Sequence, residues 1–345
     1  MEASEDKVLE RYIRQVAFTE IGEVGQRALL DASVTLIGCG ALGTAIANLV
    51  VRAGVGRLVV ADRDFVELNN LQRQTLFDET HQFHNLPKVI AAAERLRAIN
   101  SEVEIIPHLL DVNSSNIEGL VAGADLVLDG TDNFQVRYLI NDVCVKLGIP
   151  WVYDAVIGSS GMTATIVPGE TACLRCLFPD MPAPGTVPTC ETVGILGPVV
   201  QVTASIAVTE GIKLLVNKGT LNRGLIAIDV WDHTYEVFES AGRRPNCPAC
   251  GQGRFDYLDL EVGSYTASLC GRNAVQISVP GAGLLNLPEM ARRLEAVGKV
   301  RINEYLLMLN VDSYEIILFS DARAIIRGTA DESVAWALYS KYVST

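Results

Sequence analysis

The sequence predicts an α/β fold in which a Rossmann-like, mostly parallel sheet carries helices on both faces. Apolar runs of strand length alternate with segments of helical period through the first part of the chain, an alternation typical of parallel sheets. The first run, VTLI, leads into Gly38, Gly40 and Gly43, which spell G-x-G-x-x-G ahead of a helix. With 49% hydrophobic and 20% charged residues, the chain of 345 residues can also bury a large core.

The elements of this first part follow in order. Apolar residues at helical spacing occupy residues 7–20, ahead of the strand, glycine turn and helix of VTLIGCGALGTAIANL. GRLVVAD is the second strand and ends at Asp62, and LPKVIAAAERLRAIN is a helix with Pro87 near its start. Three further strands, EIIPHLL, ADLVLDGTD and PWVYDAV, are separated by a polar stretch and a helix over residues 134–147.

The pattern changes after PWVYDAV. GMTATIVPG and GLIAIDVWD are predicted strands on either side of a proline-rich segment and an apolar helix from about residue 193 to 216. The CPAC cysteine pair closes this region near residue 253, and two strand-like runs, a helix, a hairpin and a final helix follow. We therefore expect two domains, residues 1–253 with the large sheet and residues 254–345 as a small α/β domain.

Composition excludes several classes of protein. The net charge of −13 argues against duplex nucleic acid as a partner, since phosphate binding needs clustered Lys and Arg. MEASEDKVLE is too polar for a secretory signal, and the apolar run at 193–208 is too short and too interrupted to span a bilayer. Eight cysteines in so long a chain are not a disulfide framework. We expect a cytoplasmic protein that binds no membrane.

Polar and charged side chains beyond the glycine turn distinguish two kinds of nucleotide. Asp62 lies 19 residues after the last of these glycines, at a strand end where an acid binds ribose hydroxyls. Asn70, Arg73 and Lys88 follow, and cleavage of a triphosphate needs such cations to neutralise the leaving pyrophosphate. Asp132 ends another strand at the same sheet edge, where a carboxylate can hold Mg²⁺. Together these residues favour ATP over NAD.

Several segments, in order and with sensible spacings, now show a resemblance. They look like the ThiF/MoeB/HesA family of bacterial adenylating enzymes, which are related to ubiquitin-activating enzymes. The segments are RYIRQ, GCGALG, LNNLQRQ, LPK, DGTDN, CLRC with CPAC, and TCETVGILGPV. The resemblance covers residues 5–253 and is specific as a set, although no single segment would be.

The resemblance implies an adenylyltransferase that works as a homodimer. Family members bind ATP and join AMP to the C-terminal Gly-Gly carboxylate of a small ubiquitin-fold sulfur carrier, of the ThiS or MoaD type, for thiamine or molybdopterin sulfur insertion. Arg14 would be donated across the dimer interface into the neighbouring ATP site. Ala41 stands where relatives often have another glycine. By the same resemblance Asp62 would hold the ribose, Asn70, Arg73 and Lys88 the phosphates, and Asp132 the Mg²⁺, alongside Gly38, Gly40, Ala41, Gly43 and Asp64.

The cysteines have three interpretations. Two C-x-x-C pairs, which the family uses for zinc, can supply four thiolates to one structural Zn²⁺: Cys173, Cys176, Cys247 and Cys250. Cys190 precedes the apolar helix, whose N-terminus would lower the pKa of the thiol. It also matches a family cysteine that bonds covalently to the carrier in some relatives and is dispensable in others. We expect the single cysteines Cys39, Cys144 and Cys270 to be packing residues.

Other functions remain open on the sequence alone. An NAD-dependent oxidoreductase would share the glycine turn, although the four histidines offer it little proton-handling support. Relatives of this fold also adenylylate peptides or a tRNA base. A non-catalytic scaffold that only recruits a carrier would have no reason to keep Arg73, Lys88 and Asp132.

Residues 254–345 are not explained by these motifs. We expect a docking or dimer-supporting domain rather than a rhodanese sulfurtransferase, because Cys270 lies in a strand-like run and the segment is short. The sequence ends in KYVST without Gly-Gly, so we expect an activator rather than a carrier.

Overall fold

The structure is a computed structural model that describes residues 8–182, 186, 190–240, 242–260, 265–269, 273–279 and 283–343. It forms two compact units that divide after Leu260. The first unit extends beyond residue 253 because Tyr257 is attached to it. The N–H of Tyr257 donates to Oδ2 of Asp142 at 3.0 Å, and its ring lies 5.0 Å from that of Tyr138.

The first unit contains a large sheet and helices on both of its faces. Its strands are β1 (Ser33–Ile37), β2 (Arg57–Asp62), β3 (Glu104–Leu109), β4 (Leu126–Asp129), β5 (Trp151–Ile157), β6 (Ser160–Ile166), β7 (Leu225–Asp229) and β8 (Thr234–Phe238). Its helices are α1 (Ile13–Val16), α2 (Gly22–Asp31), α3 (Ala41–Ala53), α4 (Glu79–Phe83), α5 (Lys88–Ile99), α6 (Ile117–Val121), α7 (Phe134–Leu147), α8 (Leu174–Leu177), α9 (Cys190–Val193) and α10 (Gly197–Val216).

The strands of this sheet lie in the order β3-β2-β1-β4-β5-β6-β7-β8. The first five in this order are parallel, which confirms the predicted Rossmann-like core, and the last three are antiparallel. β5 and β6 are joined by a short turn at Gly158, whose φ is 58°, so no helical crossover separates them. Ile37 of β1 is level with Ala61 of β2 and with Asp129 of β4, so the carboxyl ends of these strands share one edge.

Successive residues of the central strands enter two different cores. Leu36 packs in a cluster with α3, α5 and α10, whereas Ile37 packs with α7 on the opposite face. Burial on both faces explains why the central strands are almost continuously apolar. One described helix, α10, is long and apolar enough to cross a membrane by length and composition. It contacts α3, β5 and β6, and its residues Val199 and Ala204 are buried, so we interpret it as a core helix.

The second unit is an antiparallel sheet with helices, as predicted for a small α/β domain. Its elements are β9 (Tyr265–Leu269), β10 (Ala274–Ser278), α11 (Leu287–Leu294), β11 (Lys299–Ile302), β12 (Leu306–Val311), β13 (Tyr314–Phe319), β14 (Ala324–Arg327) and α12 (Glu332–Tyr342). The strand order is β11-β12-β13-β14-β10-β9. Leu294 of α11 and Tyr339 of α12 pack with Leu309 and Leu318 in one core. Cys270 lies outside the described residues.

Candidate active site and metal centre

Three glycines let the loop between β1 and α3 approach the end of β4. Gly38 has a φ of 90°, in the left-handed region that favours glycine, and a Cβ there would lie 2.7 Å from the carbonyl carbon of Gly130. A Cβ on Gly43 would overlap the carbonyl oxygen of Gly38, and one on Gly130 would lie 2.6 Å from that oxygen. Glycine is therefore required at these three positions for backbone packing alone.

Gly40 differs from its neighbours because the space beside it is open. Among described atoms outside the adjoining chain, a Cβ there would approach only Nε2 of Gln74, at 4.0 Å. Gly40 is also the N-cap of α3, which begins at Ala41, and no side chain caps this helix. The N–H groups of its first turn are therefore available to an anion. A Cβ would intrude into this space, so the loop fits a phosphate-bearing ligand such as ATP.

Asp62 ends β2 beside this loop. Its Oδ2 accepts the N–H of Cys39 at 2.6 Å, and its Oδ1 accepts the N–H of Asp64 at 2.7 Å. Burial raises the pKa of Asp62, while the Lys88 ammonium acts in the opposite direction. The two backbone donors fix the carboxylate at the strand end, where it can accept hydrogen bonds from ribose hydroxyls.

Lys88 begins α5 and is buried, with 5% of its surface exposed. Its Nζ lies 2.9 Å from Oδ2 of Asp64. Burial opposes the charged ammonium, but the carboxylates of Asp64 and Asp62 outweigh burial and raise the pKa of Lys88 above its ordinary value. Lys88 is therefore a fixed positive charge at the strand edge, and Asp64 is the residue that holds it there.

Asn70 and Arg73 lie in the loop after β2. Leu68–Asn70 forms a 3₁₀ turn in which Asn70 is buried, and its Oδ1 accepts the N–H of Glu67 at 3.4 Å. Nη1 of Arg73 donates to the carbonyl oxygen of Asn69 at 2.9 Å. Within the described part of the chain, no carboxylate forms an ion pair with Arg73. Its guanidinium can therefore pair with a phosphate.

Asp132 does not end a strand as predicted: β4 ends at Asp129, and Asp132 is exposed in the loop before α7, where its charge contributes to the raised pKa of Lys88. An ion pair that sequence analysis missed supports this loop. Asp129 is fully buried at the end of β4; its Oδ2 accepts Nε of Arg137 at 3.1 Å, and its Oδ1 accepts the N–H of Thr131 at 2.9 Å. An Asp at a strand end, with an Arg on the first turn of the next helix, was the available signal.

Arg14 lies near the end of α3 that is remote from the glycine loop. It is exposed on α1, and Nε2 of the adjacent Gln15 donates to the carbonyl oxygen of Ala53 at 2.9 Å. Nδ2 of Asn100 donates to the hydroxyl of Tyr12 at 2.8 Å, which holds the other side of α1. The 13 residues of α3 span about 20 Å at 1.5 Å per residue. The structure therefore separates Arg14 from the glycine loop of its own chain.

The four paired cysteines form one cluster, with their Sγ atoms all within 4.8 Å of one another. The separations are 3.9 Å for Cys173 and Cys176, 3.6 Å for Cys173 and Cys247, and 3.4 Å for Cys176 and Cys250. Four thiolates around Zn²⁺, at about 2.3 Å each, stand about 3.8 Å apart in a tetrahedron. The N–H of Arg244 donates to Sγ of Cys176 at 3.4 Å, a contact that suits a thiolate ligand. The cluster fits a closed, structural zinc site.

Cys190 begins the short helix α9, and its side chain lies outside what the structure describes. The long apolar helix starts only at Gly197, because Gly194 has a left-handed φ of 83° between the two helices. The helix end beside Cys190 therefore belongs to a helix of four residues, which weakens the predicted activation of its thiol. The N–H of Gly158, at the carboxyl end of β5, donates to the carbonyl oxygen of Gly194 at 3.1 Å. That bond brings the segment after α9 to the same sheet edge.

Two single cysteines lie in the cores. Cys39 packs in the cluster that includes α3, and Cys144 lies on α7 in the opposite cluster. Burial raises the pKa of both thiols, so both are neutral and weakly nucleophilic. Their positions agree with the expected packing role.

Known proteins match this chain over the first unit and beyond. The ThiF family model matches residues 12–249. The sulfur carrier protein ThiS adenylyltransferase of Bacillus subtilis is 42% identical over 335 residues, which cover 96% of this chain and 99% of that protein. The SAMP-activating enzyme E1 of Haloferax volcanii is 41% identical over 73% of this chain and 92% of its own length. The adenylyltransferase and sulfurtransferase MOCS3 of Sus scrofa is 38% identical over 72% of this chain and 54% of its own.

A solved structure shares the fold. The crystal structure of E. coli MccB with ATP superposes with a TM-score of 0.58, at 24% identity over 66% of this chain and 68% of that chain. The family match spans most of the first unit and includes the glycine loop, the cations and three of the four clustered cysteines, with Cys250 one residue beyond its end. This protein therefore belongs to the ThiF family and is an adenylyltransferase.

Proposed function

We propose that this protein joins AMP from ATP to the C-terminal Gly-Gly carboxylate of a ubiquitin-like sulfur carrier and releases pyrophosphate. The observation that carries the proposal is the open space at Gly40, at an uncapped helix N-terminus, on the sheet edge that holds Lys88. Arg73, which has no carboxylate partner in the described residues, follows in the next loop. An open anion site with two cations suits a triphosphate whose charge grows as pyrophosphate leaves.

The reaction depends more on aligning the carrier carboxylate with the α-phosphorus of ATP than on acid–base catalysis. The carrier carboxylate is ionised at neutral pH and attacks the α-phosphorus of ATP; the bond to the bridging oxygen breaks, and pyrophosphate leaves with its electrons. Asp62 holds the ribose, while Asn70, Arg73 and Lys88 bind the phosphates and neutralise the leaving group. Mg²⁺ held by Asp132 would add charge neutralisation at the phosphates.

We further propose a ThiS-type carrier, and hence thiamine synthesis, as the destination of the sulfur. The similarity to the Bacillus subtilis ThiS adenylyltransferase includes the second unit and spans 99% of that protein. The matches to the SAMP-activating and MOCS3 enzymes cover only 73% and 72% of this chain. A shared second unit supports a shared partner. A MoaD-type carrier for molybdopterin is the alternative within the family.

The enzyme is proposed to work as a homodimer in which Arg14 of one subunit enters the ATP site of the other. Two observations support this arrangement. The hydrogen bonds of Gln15 and Tyr12 hold Arg14 near the end of α3 that is remote from the glycine loop. Ile13 and Phe18, on either side of Arg14 in sequence, are 62% and 58% exposed, an apolar surface that a second subunit would cover.

Cys190 is proposed to bond covalently with the activated carrier after adenylylation. Its thiolate would attack the carbonyl carbon of the acyl adenylate, form a thioester and release AMP. The position of α9 beside the carboxyl end of β5 supports this role. A Cys190→Ala enzyme that still performs ATP–pyrophosphate exchange, but no longer forms a thiol-sensitive adduct with the carrier, is the expected result.

ATP–pyrophosphate exchange with Mg²⁺ tests the main proposal. Exchange is expected with a ThiS-type carrier and is expected to disappear when the terminal glycine of that carrier is removed. Exchange with only a MoaD-type carrier would instead assign the protein to molybdopterin synthesis. ATP binding without exchange for any carrier would indicate a peptide or tRNA target. Binding of NAD in place of ATP would refute the adenylation proposal and favour an oxidoreductase.

A further inference from the structure

Gln74 is a buried polar residue with no role in the site as described so far. It is 3% exposed, and its Oε1 has no hydrogen-bond partner in the described part of the structure. The backbone around it is fixed, because its N–H donates to the carbonyl oxygen of Asn70 at 3.0 Å and Leu76 and Phe77 are anchored in the core. The donor atom of the same amide, Nε2, forms no hydrogen bond with the described residues either, so it is available to an acceptor on a ligand.

The amide of Gln74 lies beside the open space at Gly40. Nε2 is the one described atom outside the adjoining chain that a Cβ on Gly40 would approach, at 4.0 Å. The same space faces the uncapped first turn of α3. Backbone N–H groups and a side-chain amide donor therefore border one opening. Such a set of donors matches a phosphate group, whose oxygens accept hydrogen bonds.

We propose that Gln74 is a phosphate-binding residue of the nucleotide site, with Nε2 donating to a phosphate oxygen of ATP at the N-terminus of α3. The inference rests on the proposed function, because it requires ATP in the opening at Gly40. Lys88 and Arg73 attract the triphosphate through their charges. Gln74 adds a neutral, directional donor whose backbone is fixed, so it orients the phosphate chain rather than attracting it.

Gln74→Met is the first test, because methionine has a similar length and neither the amide donor nor the acceptor. The dissociation constant for ATP should rise about ten- to a hundredfold, the usual effect of losing a hydrogen bond to a charged group. Affinity for adenosine should not change, since adenosine has no phosphate. The melting temperature without ligand should stay the same or rise, because the unpartnered Oε1 is gone. Calorimetric titrations with ATP and adenosine, and thermal unfolding, measure the three quantities.

Gln74→Glu is the second test, since it keeps the shape and places a carboxylate against the phosphate. It should weaken ATP binding more than Gln74→Met does. Gln252→Glu is the matched control, because Gln252 is exposed and the change in net charge is the same. The inference is overturned if both Gln74 variants bind ATP as the wild type does, or if they lose ATP and adenosine equally. If the wild type itself fails to bind ATP, both this inference and the proposed function are refuted.

Discussion

Lys88 is one of the two cations at the nucleotide edge, and the carboxylates of Asp64 and Asp62 hold it in its ionised form. Lys88→Ala should lower the rate of ATP–pyrophosphate exchange about 100- to 1,000-fold, because the charge that stabilises the leaving pyrophosphate is lost. The fold should survive, since the side chain of its partner Asp64 is 29% exposed and can be hydrated. Lys146→Ala is the control, because Lys146 forms a surface ion pair with Glu118. Undiminished exchange in Lys88→Ala would exclude Lys88 from the reaction.

Asp142 on α7 should make stability depend on pH. Burial raises its pKa from 3.8 to about 6, although the N–H of Tyr257 and the charge of Arg175 favour the ionised form. A carboxyl group with a raised pKa in the folded state stabilises the fold at low pH, and this contribution is lost as pH rises from about 4 to about 6. A pKa shift of about two units corresponds to a change of about 3 kcal/mol in the free energy of unfolding. Asp142→Asn should therefore stabilise the protein at pH 7.5 and have little effect near pH 4.

The measurement is the free energy of unfolding of the wild type and of the Asp142→Asn variant in denaturant across this pH range. The amide side chain of the variant keeps an oxygen that can accept the N–H of Tyr257, so the attachment of that segment to α7 is preserved. An equal difference between variant and wild type at pH 4 and at pH 7.5 would contradict the prediction, because a difference independent of pH cannot come from titration.

At the scale of elements, two glycines of the loop between β1 and α3 are needed for different reasons: Gly43 for backbone packing, and Gly40 for the space that a ligand would fill. Gly43→Ala should destabilise the fold by about 1–3 kcal/mol, since its Cβ would overlap the carbonyl oxygen of Gly38. Gly40→Ala should leave the melting temperature unchanged, because its Cβ meets open space, but it should abolish ATP binding. Thermal unfolding of the two variants measures their melting temperatures, and titration with ATP measures their affinity for the nucleotide. Equal melting temperatures, or normal ATP binding by Gly40→Ala, would contradict this assignment.

The elements predicted correctly are those with a local signal. The strand, glycine turn and helix that begin at β1 follow from alternating hydrophobicity and from three glycines, and the parallel sheet follows from repetition of that pattern. The predicted start of α10 is about four residues early, because an apolar run does not reveal the left-handed turn at Gly194. The compact first unit continues to Leu260, because Tyr257 is held by α7, which is distant in sequence, and no local pattern reveals that contact.

At the candidate site, too, sequence reasoning recognises local patterns but not contacts between residues that are distant in sequence. The four-cysteine cluster was recognisable because each C-x-x-C pair is local, and the structure brings the two pairs together. The pairing of Lys88 with Asp64 joins residues 24 positions apart and depends on how α5 packs beside β2. The orientation of Gln74 toward Gly40 depends likewise on the path of an irregular loop. Periodicity carries no information about such contacts, so residue types were predictable and their partners were not.

At the scale of the whole molecule, the proposed role of Arg14 cannot be fulfilled within one chain. Arg14 is held by Gln15 and Tyr12 near the end of α3 remote from the nucleotide loop, about 20 Å along the helix axis. An arginine side chain cannot span that length. Any role of Arg14 in phosphate chemistry therefore requires a second subunit that presents its nucleotide loop to the first. A symmetric dimer satisfies this requirement in both directions.

Mixing two inactive variants tests this arrangement directly. Arg14→Ala and Lys88→Ala should each lose exchange activity, because every site in either homodimer lacks one of the two cations. After joint unfolding and refolding in equal amounts, about half of the dimers are mixed, and each mixed dimer has one intact site. Exchange should recover to about a quarter of the wild-type rate. No recovery, despite mixed dimers shown by differential tagging, would place Arg14 outside the partner's site and leave each subunit to work alone.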